Sequence, residues 1–419
     1  MKEIQKISVI GLGYIGLPTA ALLASKNEHV IGVDINESIV NKLNSGGSHF
    51  SEKGLNELIQ SGVSSGSLRA VTKLEPSDVF IITVPTPFKD EDKTPDLSYV
   101  MNVCETICKV LKPGNLIILE STSPVGTTEN IVKYLHNKRP DLNLPINNNN
   151  NADVGIAYCP ERIMPGNAIY ELVNNDRVIG GITESCAKAA AKIYNSFLKG
   201  SNTITSSKVA ELTKLTENSY RDVNIAFANE ISLICDQVDV DVWELIRCAN
   251  KHPRVNILQP GPGVGGHCIA VDPWFIISQV PETAVLIQTA RHVNDNKVIK
   301  TFNLIISKIN SLKKEKNNKT ISLSIYGISY KANVGDVRES PSITIIQGLI
   351  NEFNVSINIY DPHVERLPKS LNSDNVVFNL EDDYKPDIAV LLVEHDEFKD
   401  IHHNFLDKTV TIDSKGFWN

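Results

Sequence analysis

The chain has 419 residues, 42% of them hydrophobic and 21% charged, with a formal net charge of −8. That is an ordinary globular composition, long enough for two or three domains at roughly 150 residues each. The acidic balance and lack of any basic block exclude nucleic acid as the main partner, while leaving room for a local basic pocket that holds a small anion.

Lys6 to Ile10, KISVI, is a short apolar run of branched residues, as expected of a buried parallel strand. The turn Gly11-Leu12-Gly13-Tyr14-Ile15-Gly16 follows at once, then a helical run, LPTAALLAS, then a second strand, HVIGVD, ending in Asp34. Strand, GxGxxG, helix, strand and terminal acid in this order form a dinucleotide fingerprint. Gly11 permits the tight turn, Gly13 lets a pyrophosphate approach the backbone, and Gly16 lets the helix pack close to the strand. The free N–H groups of the helix start face the phosphates. Asp34 accepts from ribose hydroxyls and repels a 2′-phosphate, which favours NAD over NADP.

The uncharged stretch from Ile7 to Ser25 is broken by glycines and Pro18, so no membrane span is expected. Seven cysteines form no CxxC pair and read as reduced thiols of a cytoplasmic protein. Cys104 and Cys108, one turn apart beside Val100, Val103 and Ile107, read as packing and not as a metal site. The runs DVFIITV and LIIL supply two more strands, before PTP and ESTSPVG. Ligands bind at the carboxyl ends of strands in such a sheet, so Thr86, Thr122 and Thr127 are candidates for the cofactor and reaction cleft. A turn-forming role is the alternative for each.

The polar tract Leu144–Asn151 reads as an exposed loop. A further strand, Val154–Tyr158, leads into CPERIMPG and sets Glu161 and Arg162 at a strand end. From Ser206 to Val238 a long helix is predicted, with Val209, Leu212, Leu215, Ile225, Ile231 and Ile234 marking an apolar face. Lys214 and Asn218 lie one turn apart on a shared stripe, with Arg221 near the same side. They are either a solvated face or a cleft-facing patch. Gly261–Pro273, GPGVGGHCIAVDP, then places Cys268 in a glycine-rich loop with Asp272 behind it. Its glycines are expected to open the loop to a substrate, which favours a nucleophilic thiol over a packed one.

From Thr320 the strand-turn-helix pattern restarts, with a helix opened by Pro341 and three more strand-like runs, which implies a second parallel sheet. No glycine fingerprint follows its first strand, so a second dinucleotide is not expected. Tyr330, Lys331 and Arg338 lie just beyond that strand, either as surface residues or as a ligand site whose cations are Lys331 and Arg338.

Together GLGYIGLPTA, ESTSPVGTT, AYCPERIMPG, ELTKLTENSYRDVNIAFANE, GPGVGGHCIAVDP and GISYKANVGDVRES resemble the UDP-glucose/GDP-mannose dehydrogenase family over essentially the whole chain. The resemblance implies an α/β fold: an N-terminal Rossmann NAD-binding domain (1–205), a central helical dimerisation and catalytic-loop domain (206–310), and a C-terminal Rossmann-like UDP-sugar-binding domain (311–419). It implies a cytoplasmic homodimer without metal that uses NAD to oxidise the C6 hydroxyl of a UDP-sugar to a carboxylate, for bacterial surface polysaccharide.

Within the family pattern Val271 replaces the Lys usual in the UDP-glucose branch, and Ala270 the Pro common in the UDP-N-acetylglucosamine branch. Both departures point away from those two sugars, while KHPRVNILQPGPGVGGHCIAVDPWFI, VIGVDIN and KLTENSYRDVNIAFANE resemble the branch that acts on UDP-N-acetyl-D-mannosamine. UDP-N-acetylglucosamine oxidation and a two-electron 3-hydroxyacid-type reaction are the alternatives.

The resemblance further implies Cys268 as thiol nucleophile and Lys214 as general acid/base, helped by Asn218 and Asp272, with Glu161 and Thr122 managing water and proton transfer. Arg162, Ile163, Lys214, Asn218, Arg221, His252, Arg254, Gly265, Tyr330 and Lys331 would line the sugar-nucleotide site, Arg254 across a dimer interface. Gly11, Gly13, Tyr14, Ile15, Gly16, Asp34, Thr86, Thr127 and Arg338 would contact NAD.

The chemistry asks for these groups. Alcohol to carboxylate removes four electrons, two at a time, so a base is needed first, and Lys214 with a lowered pKa can serve. A thiolate then converts the aldehyde to a thiohemiacetal and onward to a thioester, which a carboxylate-activated water hydrolyses.

Overall fold

The short apolar runs of the N-terminal half become the middle of an eight-stranded sheet. Its strands are β1 (Ile7–Ile10), β2 (Val30–Val33), β3 (Leu68–Val71), β4 (Val79–Ile82), β5 (Leu116–Leu119), β6 (Gly155–Tyr158), β7 (Arg177–Gly181) and β8 (Asn202–Ser206). The order is β3-β2-β1-β4-β5-β6-β7-β8. The computed structural model describes residues 6–418 apart from 27, 90, 147–148, 165, 318–319, 353–354, 379–385 and 402–408. The chain divides into two units, Met1–Thr216 with Trp274–Gln279, and Glu217–Pro273 with Val280–Asn419.

In the first unit the side chains alternate across the sheet as the pleat requires. Val9, Ile81 and Ile118 join one hydrophobic cluster, which includes the all-buried helix Gly16–Ala24. Ile10, Phe80, Ile82 and Ile117 join a second cluster with Cys104 and Cys108. Both faces are therefore covered, which is why these strands are apolar apart from buried Ser8, which bonds the Ser77 hydroxyl. Neighbouring strands are parallel except β6 and β7, which pair antiparallel at Ala157↔Gly181 and Tyr158↔Gly180. The segment between them carries Glu161 and the short helix Ala168–Asn174. Strand order reverses between β1 and β4, the position at which such sheets open a ligand crevice.

The second unit holds an all-parallel sheet of β9 (Ser322–Tyr326), β10 (Ser356–Tyr360), β11 (Val376–Phe378), β12 (Ile388–Leu391) and β13 (Val410–Asp413), in the order β11-β10-β9-β12-β13. The predicted helix after Ser340 is present as Pro341–Glu352. The run expected around β10 includes residue 354, and that around β13 includes residue 408, both outside the described residues.

The helix Ser207–Val238 is unusual in how it is turned. Its buried positions include Ser207, Glu211, Lys214, Asn218, Asp222, Asn229 and Ser232, whereas Val209, Leu212, Tyr220, Phe227, Ile234 and Val238 are exposed. Of the apolar face expected from sequence, Leu215 is buried. Against its later turns packs the helix Val285–Glu315, through Arg291 on Asp222, Asn294 on Asn229 and Lys297 on Ser232.

At the ends of β9, β10 and β12 a buried carboxylate organises the following loop. Asp361 Oδ2 accepts from the Ile328 and Ser329 amides at 2.8 and 3.0 Å. His395 Nδ1 accepts from the Asn333 amide at 2.9 Å. That leaves Nε2 carrying the proton, 3.2 Å from both Asp361 Oδ2 and Ser329 Oγ. Burial alone would raise the Asp361 carboxyl, but hydrogen bonding and electrostatics from His395, with the Ile328 and His363 amides, hold it below the usual 3.8. A lowered carboxyl contributes stability that is fully present above its unfolded value and is lost as pH falls through its folded value. Asp361→Asn is expected to cost about 1.5–3 kcal/mol at pH 7. It is also expected to flatten the acid limb of the melting temperature against pH, below about pH 4. Thermal unfolding from pH 3 to 8 checks this, and identical acid limbs in the two proteins would refute it.

Candidate active site

The glycine turn is built as its spacing requires. Gly11 has φ +95°, and its amide donates to the Val33 carbonyl at 2.8 Å. A Cβ at Gly16 would fall on the Gly11 carbonyl oxygen, so only glycine lets the helix start here. Around a Cβ at Gly13 there is nothing within 4 Å. This is the open approach a pyrophosphate needs, and the helix N-terminus beyond it has no side-chain cap. Asp34 receives the Leu12 and Asn36 amides on separate oxygens, both at 2.9 Å, which orients the carboxylate and leaves lone pairs for ribose hydroxyls. Tyr14 stacks on Phe50 with ring centroids 4.2 Å apart. Ile15 is the N-cap residue of the helix. These residues fit a bound dinucleotide.

Thr86 and Thr122 are half-buried in the loops after β4 and β5. Thr127 is buried, and its hydroxyl donates to Pro124 O at 2.7 Å, closing the turn that starts the helix Thr127–Lys138. In the same unit Lys214 Nζ donates to Glu161 O at 2.8 Å and pairs with Glu161 Oε1 at 3.1 Å. The second oxygen of Glu161 accepts from the Ile163 amide at 2.7 Å. Both members are buried, so the lysine and carboxylate hold each other out of water. Arg162 is half-buried and donates to the Asp176 carbonyl at 3.1 Å.

In the second unit Cys268 is exposed, and its carbonyl accepts from the Val271 and Asp272 amides at 3.1 and 2.9 Å, opening the helix Asp272–Gln279. Asn218 Nδ2 donates to Asp272 Oδ2 at 2.5 Å, with both residues buried. The glycines of this loop correct the expectation that they open it to a substrate. A Cβ at Gly263 would meet Val298 at 2.6 Å and one at Gly266 (φ +82°) would meet the Tyr330 ring at 2.9 Å. One at Gly265 would fall on the Glu339 carbonyl. They let the loop press onto its neighbours, Tyr330 among them. The Gly266 amide also donates to Arg338 O at 3.2 Å, and Arg338 itself is held by Asp336 in a bidentate pair. Tyr330 is half-buried, whereas Lys331, Arg221, His252 and Arg254 are exposed.

Sequence reasoning missed several polar groups. Glu211 accepts from the Gly126 amide at 2.6 Å and from the Thr128 amide and hydroxyl at 2.8 and 2.6 Å. Burial, first of all, pushes its carboxyl up despite these bonds. Glu120, at the end of β5, takes the Tyr194 hydroxyl at 2.7 Å and lies 3.7 Å from Arg177. Glu211 shares a helical stripe with Lys214, Asn218 and Asp222, a signal present in ELTKLTENSYRD. Thr83, which donates to the Ile10 and Gly11 carbonyls at 2.9 and 2.7 Å, carried none. Among the described residues one group, His363, His395 and Glu397, brings potential metal ligands within 4.8 Å of one another. Both ring nitrogens of His395 are already engaged, which leaves His363 and Glu397 as the ligands this group could offer.

Fold and fingerprint thus define a dinucleotide-binding α/β protein with a second α/β sheet. The chain matches the UDP-glucose/GDP-mannose dehydrogenase family in its NAD binding domain over residues 5–198, its central domain over 208–296 and its UDP binding domain over 324–419. An NDP-N-acetyl-D-galactosaminuronic acid dehydrogenase of Ralstonia nicotianae is 48% identical over 417 residues, covering 100% of this chain and 97% of that protein. A UDP-N-acetyl-D-mannosamine dehydrogenase of Campylobacter jejuni is 50% identical over 404 residues, covering 96% and 98%. The solved UDP-D-ManNAc dehydrogenase of Pyrococcus horikoshii superposes with a TM-score of 0.87 at 36% identity, covering 99% of this chain and 96% of that one. The chain belongs to the UDP-glucose/GDP-mannose dehydrogenase family. It is an NAD-dependent UDP-sugar dehydrogenase, and among its described residues no helix is long and apolar enough to cross a membrane.

The two fingerprint glycines separate binding from folding. Gly13→Ala is expected to leave the melting temperature almost unchanged and to weaken NAD binding about tenfold or more. Gly16→Ala is expected to destabilise the protein by about 1–3 kcal/mol through overpacking. Thermal unfolding and NAD titration of both variants test this; unimpaired NAD binding by Gly13→Ala would remove the pyrophosphate from this turn.

Proposed function

We propose that the protein oxidises the C6 hydroxyl of UDP-N-acetyl-D-mannosamine to the carboxylate in two steps, through a covalent intermediate on Cys268. The observation that carries this reading is the exposed thiol of Cys268 four positions before Asp272, whose carboxylate is fixed by Asn218. NAD, when bound, accepts a hydride at each oxidation. Lys214 first passes a proton to Glu161 Oε1, 3.1 Å from its Nζ, and as a neutral amine then takes the proton of the sugar hydroxyl. Asn218 has a second N–H free of Asp272 to donate to the developing alkoxide. The Cys268 thiolate then adds to the aldehyde, and after the second oxidation the thioester is hydrolysed by water that Glu161 or Asp272 activates, with Thr122 assisting.

Arg162, Ile163, Arg221, His252, Gly265, Tyr330 and Lys331 serve the sugar nucleotide, and Tyr14, Ile15, Asp34, Thr86, Thr127 and Arg338 the NAD. The family domains support a functional division of the chain near residues 205 and 310. Seven cysteines without a CxxC pair support a cytoplasmic enzyme, its uronate product serving surface polysaccharide.

The relatives named for N-acetylmannosamine favour that sugar, and the Ralstonia relative supports N-acetylgalactosamine as a second reading. NADH yield from UDP-N-acetylmannosamine, UDP-N-acetylgalactosamine, UDP-N-acetylglucosamine, UDP-glucose and GDP-mannose tests both. Two NADH per UDP-N-acetylmannosamine is the expected result, and a yield near one would sink the thioester scheme. Cys268→Ser is expected to keep NAD binding and to lose uronate formation by roughly a thousandfold or more.

The exposed row Val209, Leu212, Tyr220, Phe227, Ile234 and Val238 supports a homodimer built on this helix, with Arg254 serving the second copy's site. Sedimentation should give a dimer for the wild type and a monomer for Phe227→Glu/Ile234→Glu. A wild-type monomer would reject the assembly.

A further inference from the structure

We propose that the buried Asp222–Arg291 ion pair positions the Cys268 loop, so that these two residues set the placement of the thiol without touching substrate. This rests on the reading of Cys268 as nucleophile.

The pair is 0% and 2% exposed, with Arg291 NH1 2.7 Å from Asp222 Oδ1. The same NH1 reaches the carbonyl of Ile269, the residue after the thiol, in a long contact of 3.5 Å. Its second nitrogen is fixed by Asp295 at 2.5 Å. Asp222 Oδ1 also takes Asn294 Nδ2 at 2.8 Å. Asn294 Oδ1 accepts from Asn229 Nδ2 at 2.9 Å, and Asn229 Oδ1 accepts from the Gly261 amide at 2.9 Å. One buried network therefore holds the first residue of the glycine loop and the backbone just past Cys268. One turn earlier on the same helix, Asn218 holds Asp272. Three ties bracket the thiol.

The loop needs such ties. Gly261, Gly263, Gly265 and Gly266 bring no side chains of their own to limit the backbone, so the ordering must come from outside. An apolar pair could join the two helices equally well, and a buried ion pair is weak as a source of stability. What an apolar pair lacks is a donor for the Ile269 carbonyl and a polar chain to the Gly261 amide. The pair also carries uncompensated polarity: Asp222 Oδ2 and Arg291 Nε have no hydrogen-bond partner among the described residues. Burial pushes the Asp222 carboxyl up, and Arg291 and Asn294 only partly offset this. A contact kept for stability alone would not be built so.

The test uses the full-length enzyme with NAD and UDP-N-acetylmannosamine, or whichever sugar the panel selects. Asp222→Asn and Arg291→Lys are expected to lower kcat about 10- to 100-fold, as a misplaced reacting group does, with KM for both substrates within about threefold. In a Cys248→Ala background, which removes the other exposed thiol, the rate or pH midpoint of Cys268 alkylation by iodoacetamide should shift. The double variant Asp222→Leu/Arg291→Met is expected to regain thermal stability but not kcat. Should the single variants not fold, Asn229→Ala leaves the ion pair intact, releases the Gly261 amide and reads the same kcat-against-KM split.

Recovery of both stability and kcat in the double variant, or wild-type kcat and alkylation in folded single variants, would reduce the pair to scaffold. Cys268→Ser that still makes uronate would instead overturn the nucleophile assignment. The alkylation rates would then still report whether the pair places the loop.

Discussion

The helix Ser207–Val238 turns its polar side inward. Five of its polar groups, Glu211, Lys214, Asn218, Asp222 and Asn229, follow one another at intervals that keep them on a single stripe of this helix, and all are buried. Each must meet a partner or leave an unsatisfied group in a low-dielectric interior. The partners are the amides of Gly126 and Thr128, Glu161, Asp272, Arg291 and the Gly261 amide. Each partner belongs to a turn or loop at which sequence motifs pointed to chemistry, or to the helix that braces one. The requirement to satisfy one helix face is thus also what fixes those loops.

Two consequences follow from that inversion. Two buried ion pairs form on this helix, Lys214 with Glu161 and Arg291 with Asp222, and a third, Arg177 with Glu120, lies off it. Removing one member of such a pair costs about 3–5 kcal/mol because the other is left uncompensated, whereas the intact pair adds little stability over an apolar one. Such pairs hold geometry more than they hold the fold. The second consequence is outside. With the polar side spent inward, the helix's Val, Leu, Tyr, Phe and Ile residues are left facing out.

Much of this was legible in the sequence where local rules act alone. The fingerprint from Ile7 to Asp34 is a contiguous device of strand, glycines and acid, and β1, β2, β4 and β5 are apolar on both faces because helices cover both. Harder were β3, whose LRAV carries an arginine, β7, whose RVIGG ends in two glycines, and β8, a polar edge strand. The helix Val285–Glu315 gave little apolar periodicity, since its buried positions include Arg291, Asn294 and Thr301. Buried polar residues look like surface until a partner far along the chain is known. Glu211 with Thr128 and Asp222 with Arg291 are such cases, and no pattern within either segment names the other.

Glycine had two meanings that spacing alone did not separate. At Gly13 the missing side chain leaves space empty, as a ligand approach requires. At Gly265 and Gly266 the space is filled by Glu339, Pro341 and Tyr330, so the missing side chain allows backbone to lie against backbone and ring. The first is a vacancy for a phosphate; the second is a seat for a loop. A nucleophile gains from the second kind, because a thiol on a freely moving loop would lose to conformational entropy what it gained in access. Glycine richness around Cys268 is therefore compatible with rigidity, provided the ties to Gly261, Ile269 and Asp272 come from the polar stripe of the helix and the residues it binds.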